Sequence, residues 1–523
     1  MLTEEQQAVL AAAQGLKPGQ VLKIEACAGA GKTATLVEIA KSMPTARFLY
    51  LAFNKNIVEE ARQRFTPNVR IFTTHALAYA WFAYTRGYEA LRDIRSALRI
   101  FDLEPLFPKA SHTELYGLLS GLKSFCYSAA KEPVNKDLMI IFKAAMEGKI
   151  PLTHDIYLKA YQLYCQPKFR NYDYVLLDEG QDTNDVTMEL FLDNNCRRIL
   201  VGDSHQAIYA FRGAVNALSR IKADQTLHLT NSFRCSQEIL DRANWFLKRY
   251  ADDRTSLKKM ISCAPEREIA QKHSKSFITR TNAELIRRIS EIQPADAGDF
   301  ELLRQPELIF ATAVSLLAIK NGRKQNVHPS CKWLTRFDGI CNIKDFAEDC
   351  ADLELLQNIK LVEDFGSALP ELFERAQKIG PGRSDNSNPF PLVLTTAHSA
   401  KGLEWDEVDL AGDFAALCDL YDVIGQQVGK RKYTIEDFEQ ELNLYYVAVT
   451  RARLMLHDHT YNLVEYANAG QCPYDDEVQK LEDQLEEERR MPHETVRRGK
   501  NKSAKKKSSG SRKTSPRGRG SFF

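Results

Sequence analysis

Short apolar runs recur along this chain, each followed by a stretch whose apolar positions have helical spacing. Val21 to Ala26 is one such run, and Thr33 to about Lys41 is the helical stretch after it. The alternation covers residues 20–80 and resumes near 173–203. Runs apolar along their whole length are strands covered by helices on both faces, so the pattern predicts one parallel sheet assembled from two separated pieces. Between them, residues 85–165 show helical periodicity and read as an insertion. A second α/β region opens near Leu227, takes in Phe277-Ile278-Thr279-Arg280-Thr281-Asn282, and resumes at Pro391-Leu392-Val393-Leu394-Thr395. The interruption, about 283–390, ends in a linker from Gly380 to Asn388 rich in turn-forming residues. Residues 475–491 read as a charged, solvated helix with Val478, Leu481 and Leu485 on one stripe.

Composition adds limits. With 523 residues, 44% of them hydrophobic, the chain holds several domains with sizeable cores. The longest apolar stretch, near Leu308 to Ile319, is too short to span a bilayer, and the first residues lack the profile of a signal peptide. Eleven cysteines occur without any CxxC pair, which points to reduced thiols in a soluble intracellular protein and to no structural metal. Net charge is +2, but eleven of the 71 basic residues lie between Arg497 and Arg519, leaving 60 against 69 acidic residues elsewhere. The body is therefore no general polyanion binder, and a nucleic-acid groove must be local. The Lys-, Arg-, Ser- and Gly-rich tail cannot bury enough apolar surface to fold, and is either a solvated appendage or a source of salt-dependent affinity for phosphates.

Candidate chemistry sits where strands end. The run Val21–Ala26 enters Ala26-Cys27-Ala28-Gly29-Ala30-Gly31-Lys32-Thr33, a small-residue turn opening a helix. Backbone N–H groups of Ala28, Gly29, Ala30 and Gly31 can approach a triphosphate, Lys32 reaches its β- and γ-phosphates, and the Thr33 hydroxyl ligates Mg²⁺. Ala26 stands where the strictest pattern has glycine. Cys27 is either a reactive thiol inside the turn or simply a small residue that fits. Tyr174-Val175-Leu176-Leu177 ends in Asp178 and Glu179. At the carboxyl edge of a parallel sheet, Asp178 can hold Mg²⁺ through water and Glu179 can orient the attacking water. ATP and Mg²⁺ are thus the expected ligands. Some two dozen residues on, Gln206, Tyr209, Phe211 and Arg212 fall in one short segment, a polar sensor beside two rings and a guanidinium. The rings can stack on bases of a single strand; as near neighbours on one strand face they also suit core packing.

These motifs, with their order, resemble superfamily 1A DNA helicases of the UvrD/Rep/PcrA-like group, and within it the F-box DNA helicase branch, although no F-box segment is present. The resemblance covers roughly the first 460 residues. Leu2-Thr3-Glu4-Glu5-Gln6 resembles the adenine-reading Q motif, with Gln6 as its glutamine. Phe48 to Lys55 and Phe72 to Leu77 resemble motifs Ia and Ib, residues 202–214 motif III, and Leu229-Thr230-Asn231-Ser232-Phe233-Arg234 motif IV. Leu394 to Trp405 resembles motif V, and Glu441 to Arg453 motif VI. Two departures are Gly180, where the family often has alanine, and Phe211, where bacterial relatives often have tryptophan. The resemblance implies two tandem RecA-like P-loop NTPase domains, each with a mostly helical insertion: core 1A over 1–84 and 166–228 with insertion 85–165, core 2A over 229–282 and 391–465 with a reduced insertion 283–390, then a charged extension 466–496 and a basic tail 497–523. It also implies roles. Arg234 and Arg451 would neutralise charge during phosphoryl transfer, Phe233 would stack on adenine, and Glu404 would lie near the ribose or phosphates. Phe53, His75, Tyr209, Phe211, Arg212 and His398 would contact DNA, although His75 equally suits a structural histidine.

Three functions compete. One is an ATP-dependent helicase moving 3′ to 5′ on single-stranded DNA and opening duplexes at single-strand junctions, in repair, recombination or replication; the polarity is implied by the resemblance alone. Another is a translocase that displaces proteins such as recombinase filaments with little unwinding. The third is a non-motor ATP-gated binding protein, against which the full set Lys32, Asp178, Glu179, Gln206, Arg234 and Arg451 argues.

Overall fold

The computed structural model describes residues 2–470 apart from 53–54, 167–168, 211–212, 252–257, 267, 350–351, 382–387 and 429–430. The expected helix at 475–491 and the basic tail lie outside the described residues, as do Phe53, Phe211 and Arg212. Residues 1–462 form one compact unit, and 463–523 a second that is described only to residue 470.

Six strands make the first sheet: β1 (Val21–Ala26), β2 (Phe48–Ala52), β3 (Val69–Thr73), β4 (Tyr174–Leu177), β5 (Arg197–Gly202) and β6 (Gln225–Leu229). Their order is β3-β2-β4-β5-β1-β6, and every pairing is parallel. The neighbouring strands β2 and β4 are apolar throughout because both faces are covered. Phe48, Tyr50 and Ala52 pack into the core on one side, while Leu49 and Leu51 pack into the core on the other. The order matters chemically. It sets β4, β5 and β1 side by side, so the segments that follow them, Asp178-Glu179, Asp203 to Gln206 and the Ala26–Thr33 turn, share one carboxyl edge.

Five parallel strands make the second sheet: β7 (Lys275–Thr279), β8 (Phe300–Leu302), β9 (Leu392–Thr396), β10 (Trp405–Leu410) and β11 (Ala452–Asp458), in the order β8-β9-β7-β10-β11. Two mixed α/β units with parallel sheets are thus present, as tandem RecA-like domains require. Two details differ from expectation. The second region does not open near Leu227, because Leu227 lies in β6, which is zipped along β1 from Leu22↔Gln225 to Ala26↔Leu229. The stretch 283–390 also contributes β8 to the second sheet, a strand of three residues, too short to show a period of its own.

The helices between β3 and β4, among them Thr74–Arg86, His112–Tyr127, Lys136–Met146 and His154–Ala160, share one apolar core with those between β8 and β9. Rings of the two groups meet directly: Phe101 lies 6.2 Å from Phe337, and Tyr116 5.8 Å from Phe346. Among the described residues, no helix is long and apolar enough to cross a membrane; Leu308–Ile319 lies within helix Glu307–Lys320.

Packing at the carboxyl edge explains one sequence departure. A Cβ on Gly180 would overlap Leu200 Cδ1, and Leu200 is fully buried on β5. An interior this dense leaves the leucine nowhere to turn. Gly180→Ala is therefore expected to lower the unfolding free energy by about 1–3 kcal/mol in thermal or denaturant melts, with partial recovery when Leu200→Val is added.

Candidate active site

The turn after β1 is shaped by two glycines in left-handed conformation, Gly29 at φ +74° and Gly31 at φ +75°. Gly29 is also required sterically, since a Cβ there would sit 2.5 Å from Cβ of Arg234 and 2.7 Å from the Ser232 hydroxyl. Helix Lys32–Ser42 starts at once, aiming its N-terminal amides into the turn. Lys32 Nζ lies 3.1 Å from Glu179 Oε2. The Thr33 hydroxyl donates to Asp178 Oδ2 at 3.0 Å, and the Tyr50 hydroxyl donates to the same oxygen at 2.6 Å. Glu179 adopts φ +52°, a conformation that a side chain with a Cβ tolerates poorly. The strain is held by Gln181, whose amide donates to Glu179 Oε2 while its carbonyl accepts from the Asp203 N–H at 3.1 Å.

Burial raises carboxyl pKa values unless opposite charge intervenes. It pushes Asp178 above the ordinary carboxylate range, helped by the neighbouring charge of Glu179. For Glu179 burial acts the same way, but the ammonium groups of Lys32 and Lys401 outweigh it and hold the carboxyl at about 2. Lys32 is pulled down by burial, yet Glu179, Asp203 and Asp178 carry it above its usual value. Asp182 is raised to about 6 by burial despite its ion pair with Lys401. Burial likewise raises the Cys27 thiol well above its normal range, which favours the thiol over the thiolate. A hard divalent cation fits beside Lys32: the Thr33 hydroxyl and Asp178 carboxylate present oxygen donors of the kind Mg²⁺ prefers.

The segment after β6 closes over the turn. The Cys27 N–H donates to the Leu229 carbonyl at 2.9 Å, the Ser232 hydroxyl to the Ala28 carbonyl at 2.8 Å, and the Phe233 N–H to the Gly29 carbonyl at 2.9 Å. Glu5 anchors the start of this segment, accepting from the Thr230 N–H at 2.7 Å and from the Asn231 amide at 3.1 Å. Phe233 is 43% exposed, with Cδ2 3.9 Å from where a Gly31 Cβ would stand and the Gln6 amide 3.4 Å from it. Gln6 itself is tied up locally, accepting from the Thr3 N–H and donating to the Thr35 hydroxyl. Arg234 pairs with Glu404, which Arg453 also grips at 2.6 Å. Arg451 is a different case. It is 1% exposed, and its guanidinium donates to the carbonyls of Val447 and Leu403 and to the Thr450 hydroxyl. Burial and the charge of Arg234 depress it to about 10. The structure thus sets Arg234 against the turn, while Arg451 stands behind it, engaged with its own backbone.

Ser204–Gln206 forms a short 3₁₀ turn, and residues 207–209 are not a strand, so Tyr209 shares no sheet face. Instead the Tyr209 hydroxyl donates to the His398 carbonyl at 3.1 Å, and Lys401 Nζ lies 4.9 Å from the ring centre. Lys401 also pairs with Asp182 at 2.6 Å and donates to the Gln206 carbonyl. The Gln206 amide donates to Asp203 Oδ2 at 2.7 Å. His75, in the first turn of the helix that follows β3, is half-buried with its ring 6.4 Å from His154 and 6.2 Å from Tyr157, and burial lowers it to about 4, leaving it uncharged at neutral pH.

Several residues here carried no assigned role in the sequence: Glu5, Tyr50, Gln181, Asp182, Asp203, Lys401, Tyr446 and Arg453. They lie inside motif strings, where their charge or hydroxyl was the only available signal; Tyr50 lies mid-strand in an apolar run, where its ring reads as core. Away from the cleft, Glu407, Asp409 and His457 bring ligand-type atoms within 4.8 Å of one another, but Lys275 at 3.0 Å already matches the Glu407 charge, and the same carboxylate hydrogen-bonds His273.

Comparison with known proteins agrees with this layout. The UvrD/REP helicase N-terminal domain family matches residues 136–225, and the UvrD-like helicase C-terminal domain family matches 317–460. F-box DNA helicase protein 1 of Schizosaccharomyces pombe is 30% identical over 87% of this chain and 57% of its own length. F-box DNA helicase 1 of Gallus gallus is 29% identical over 87% of this chain and 48% of its own length. Gabija protein GajB of Bacillus cereus is 31% identical over 58% of this chain and 67% of its own. The chain spans about half the length of the two F-box relatives.

The open ring of Phe233 generates a direct expectation. Phe233→Ala should weaken a fluorescent adenine nucleotide by about tenfold in an equilibrium titration, within the range of aromatic–base stacking, and leave the melting temperature close to that of the native chain.

Proposed function

Because this chain belongs to the UvrD-like helicase family, we propose that it is an ATP-driven motor that moves 3′ to 5′ along single-stranded DNA and separates duplexes. The observation that carries this reading is the contact of Arg234 with the phosphate-binding turn: its Cβ and backbone, in the segment leading into the second sheet, lie against Gly29 of the first, while its guanidinium is held beside the turn by Glu404. Such a cation is worth about 10³–10⁵ in the rate of phosphoryl transfer. The names of the F-box relatives, as DNA helicases, support DNA as the track.

On this reading Lys32 exchanges its partner Glu179 for the phosphates of ATP. Glu179 then keeps its negative charge but loses its nearest cation, which leaves it free to orient and polarise water. Thr33 and Asp178 would hold Mg²⁺, which when bound offsets phosphate charge. Gln6 and Phe233 would frame the adenine, with Glu404 holding Arg234 in place. Arg451 supports Arg234 and adds positive potential to the same wall; direct contact with phosphate requires it to leave the carbonyls it now serves. Strand contact would fall to Tyr209 and His398 with Phe53, His75, Phe211 and Arg212. Since Tyr209 follows a strand of the first sheet and His398 a strand of the second, yet the two touch, closure about ATP and grip on the strand are mechanically joined.

Helicase assays on tailed duplexes test the motor. The native chain is expected to open a 3′-tailed substrate and Lys32→Ala to open none; preferential opening of a 5′-tailed substrate would overturn the polarity, and filament clearance without strand separation would replace unwinding with protein displacement. A pH profile offers a second check. The Asp182 carboxyl, raised to about 6, is charged above that pH and neutral below it, so its attraction for Lys401 fades on acidification. DNA-stimulated ATP turnover should fall from about pH 8 to about pH 5 with a midpoint near 6, and Asp182→Asn should be slow throughout and lack that limb.

A further inference from the structure

The hydroxyl of Tyr446 spans the cleft. Tyr446 lies on helix Ile435–Val449, is 3% exposed, and accepts from the Ala28 N–H of the phosphate-binding turn at 3.1 Å. The same hydroxyl donates to Asp203 Oδ2 at 3.0 Å. Met260 sulfur lies 3.6 Å away, but a hydroxyl has one proton and the carboxylate is the nearer and stronger acceptor. Asp203 Oδ2 is also the atom that receives the Gln206 amide at 2.7 Å. One carboxylate oxygen therefore ties Tyr446 to Gln206.

Other groups of the second α/β region grip the neighbouring backbone. Lys401 donates to the Gln206 carbonyl, and the amides of Gln440 and Asn443 each donate to the Ala207 carbonyl at 3.1 Å. Apart from its own turn, what fixes Gln206 comes from the far side of the cleft. The adjacent tyrosine provides a contrast. Tyr445 is equally buried on the same helix, yet its hydroxyl donates to Asp458 at 2.6 Å, inside the second region. One hydroxyl serves the fold of its own region; its neighbour reaches across to the first sheet.

Resting on the motor reading, we propose that Tyr446 is a positioning residue for hydrolysis: it senses the phosphate-binding turn through Ala28 and, through Asp203, orients Gln206 towards the reacting phosphate only when the cleft is shut. The hydroxyl takes no part in bond making. It sets the direction of a carboxamide that does the contacting, so its loss slows turnover without loosening ATP.

Tyr446→Phe in the full chain removes the hydroxyl and keeps the ring, which packs edge-on against His205 at 5.9 Å. Steady-state ATP hydrolysis with single-stranded DNA is expected to show kcat lowered about tenfold or more and KM for ATP within about twofold, the effect of a lost hydrogen bond to a charged group. Tyr445→Phe is expected to lower the melting temperature but keep kcat. Gln206→Ala combined with Tyr446→Phe should be no slower than Gln206→Ala alone, because both act through one group. Asp203→Asn, which keeps the shape and weakens both hydrogen bonds, should repeat the kcat loss. Native kcat in Tyr446→Phe, an equal kcat loss in Tyr445→Phe, or losses that multiply in the double variant would each overturn the inference. A native chain that never turns over ATP in response to DNA would instead remove the motor reading beneath it.

Discussion

Buried charge must be paired, and in this chain several of the pairs need both sheets. Asp178, Asp182 and Asp203 are buried around one carboxyl edge, with the partly buried Lys32, Glu179 and Lys401 beside them. A single unmatched ion in such a place is worth several kcal/mol against the fold, so each must find its partner within a few ångströms. For Asp182 that partner is Lys401, which follows β9 of the second sheet. For Asp203 it is in part the Tyr446 hydroxyl, again from the second region. These pairs reach from one wall of the cleft to the other, so separating the walls would orphan charge on both.

The same constraint acts across the cleft between the two sheets. Ionic and hydrogen-bonded contacts across it are short and directional. A ligand that supplies negative charge beside Lys32 and Arg234 changes the balance, because it competes with Glu179 and Glu404 for the same cations. The chain has placed its carboxylates where phosphate charge would stand, which keeps the cations oriented in the meantime. Strain at Glu179 belongs to the same economy: a left-handed residue at the end of a strand points a carboxylate along the edge, and Gln181 holds it there.

The helical insertions follow a different rule. They meet through rings, Phe101, His112 and Tyr116 against Phe337 and Phe346, with Arg336 lying 4.1 Å over Phe101. Apolar and cation–π contacts of this kind are less directional than the buried pairs at the cleft. The fold thus combines a charged cleft with a greasier contact between its insertions.

Much of the candidate nucleotide site was legible from local order alone. A small-residue turn between an apolar run and a helix, followed far along by an apolar run ending in two acids, names Lys32, Thr33, Asp178 and Glu179, because backbone geometry within a few residues decides where those groups point. The alternating strands and helices likewise show a parallel sheet, since a strand covered on both faces must be apolar throughout. What the chain could not disclose along its length is which distant residues meet. That β6 closes the first sheet, that β8 joins the second, that Arg234 lies on Gly29 while Arg451 is occupied by its own carbonyls, and that Tyr446 crosses to Asp203 while Tyr445 does not, are consequences of strand order and of how two sheets face each other. Hydrogen bonds and ion pairs act over about 3 Å regardless of sequence separation, so only the folded arrangement selects them.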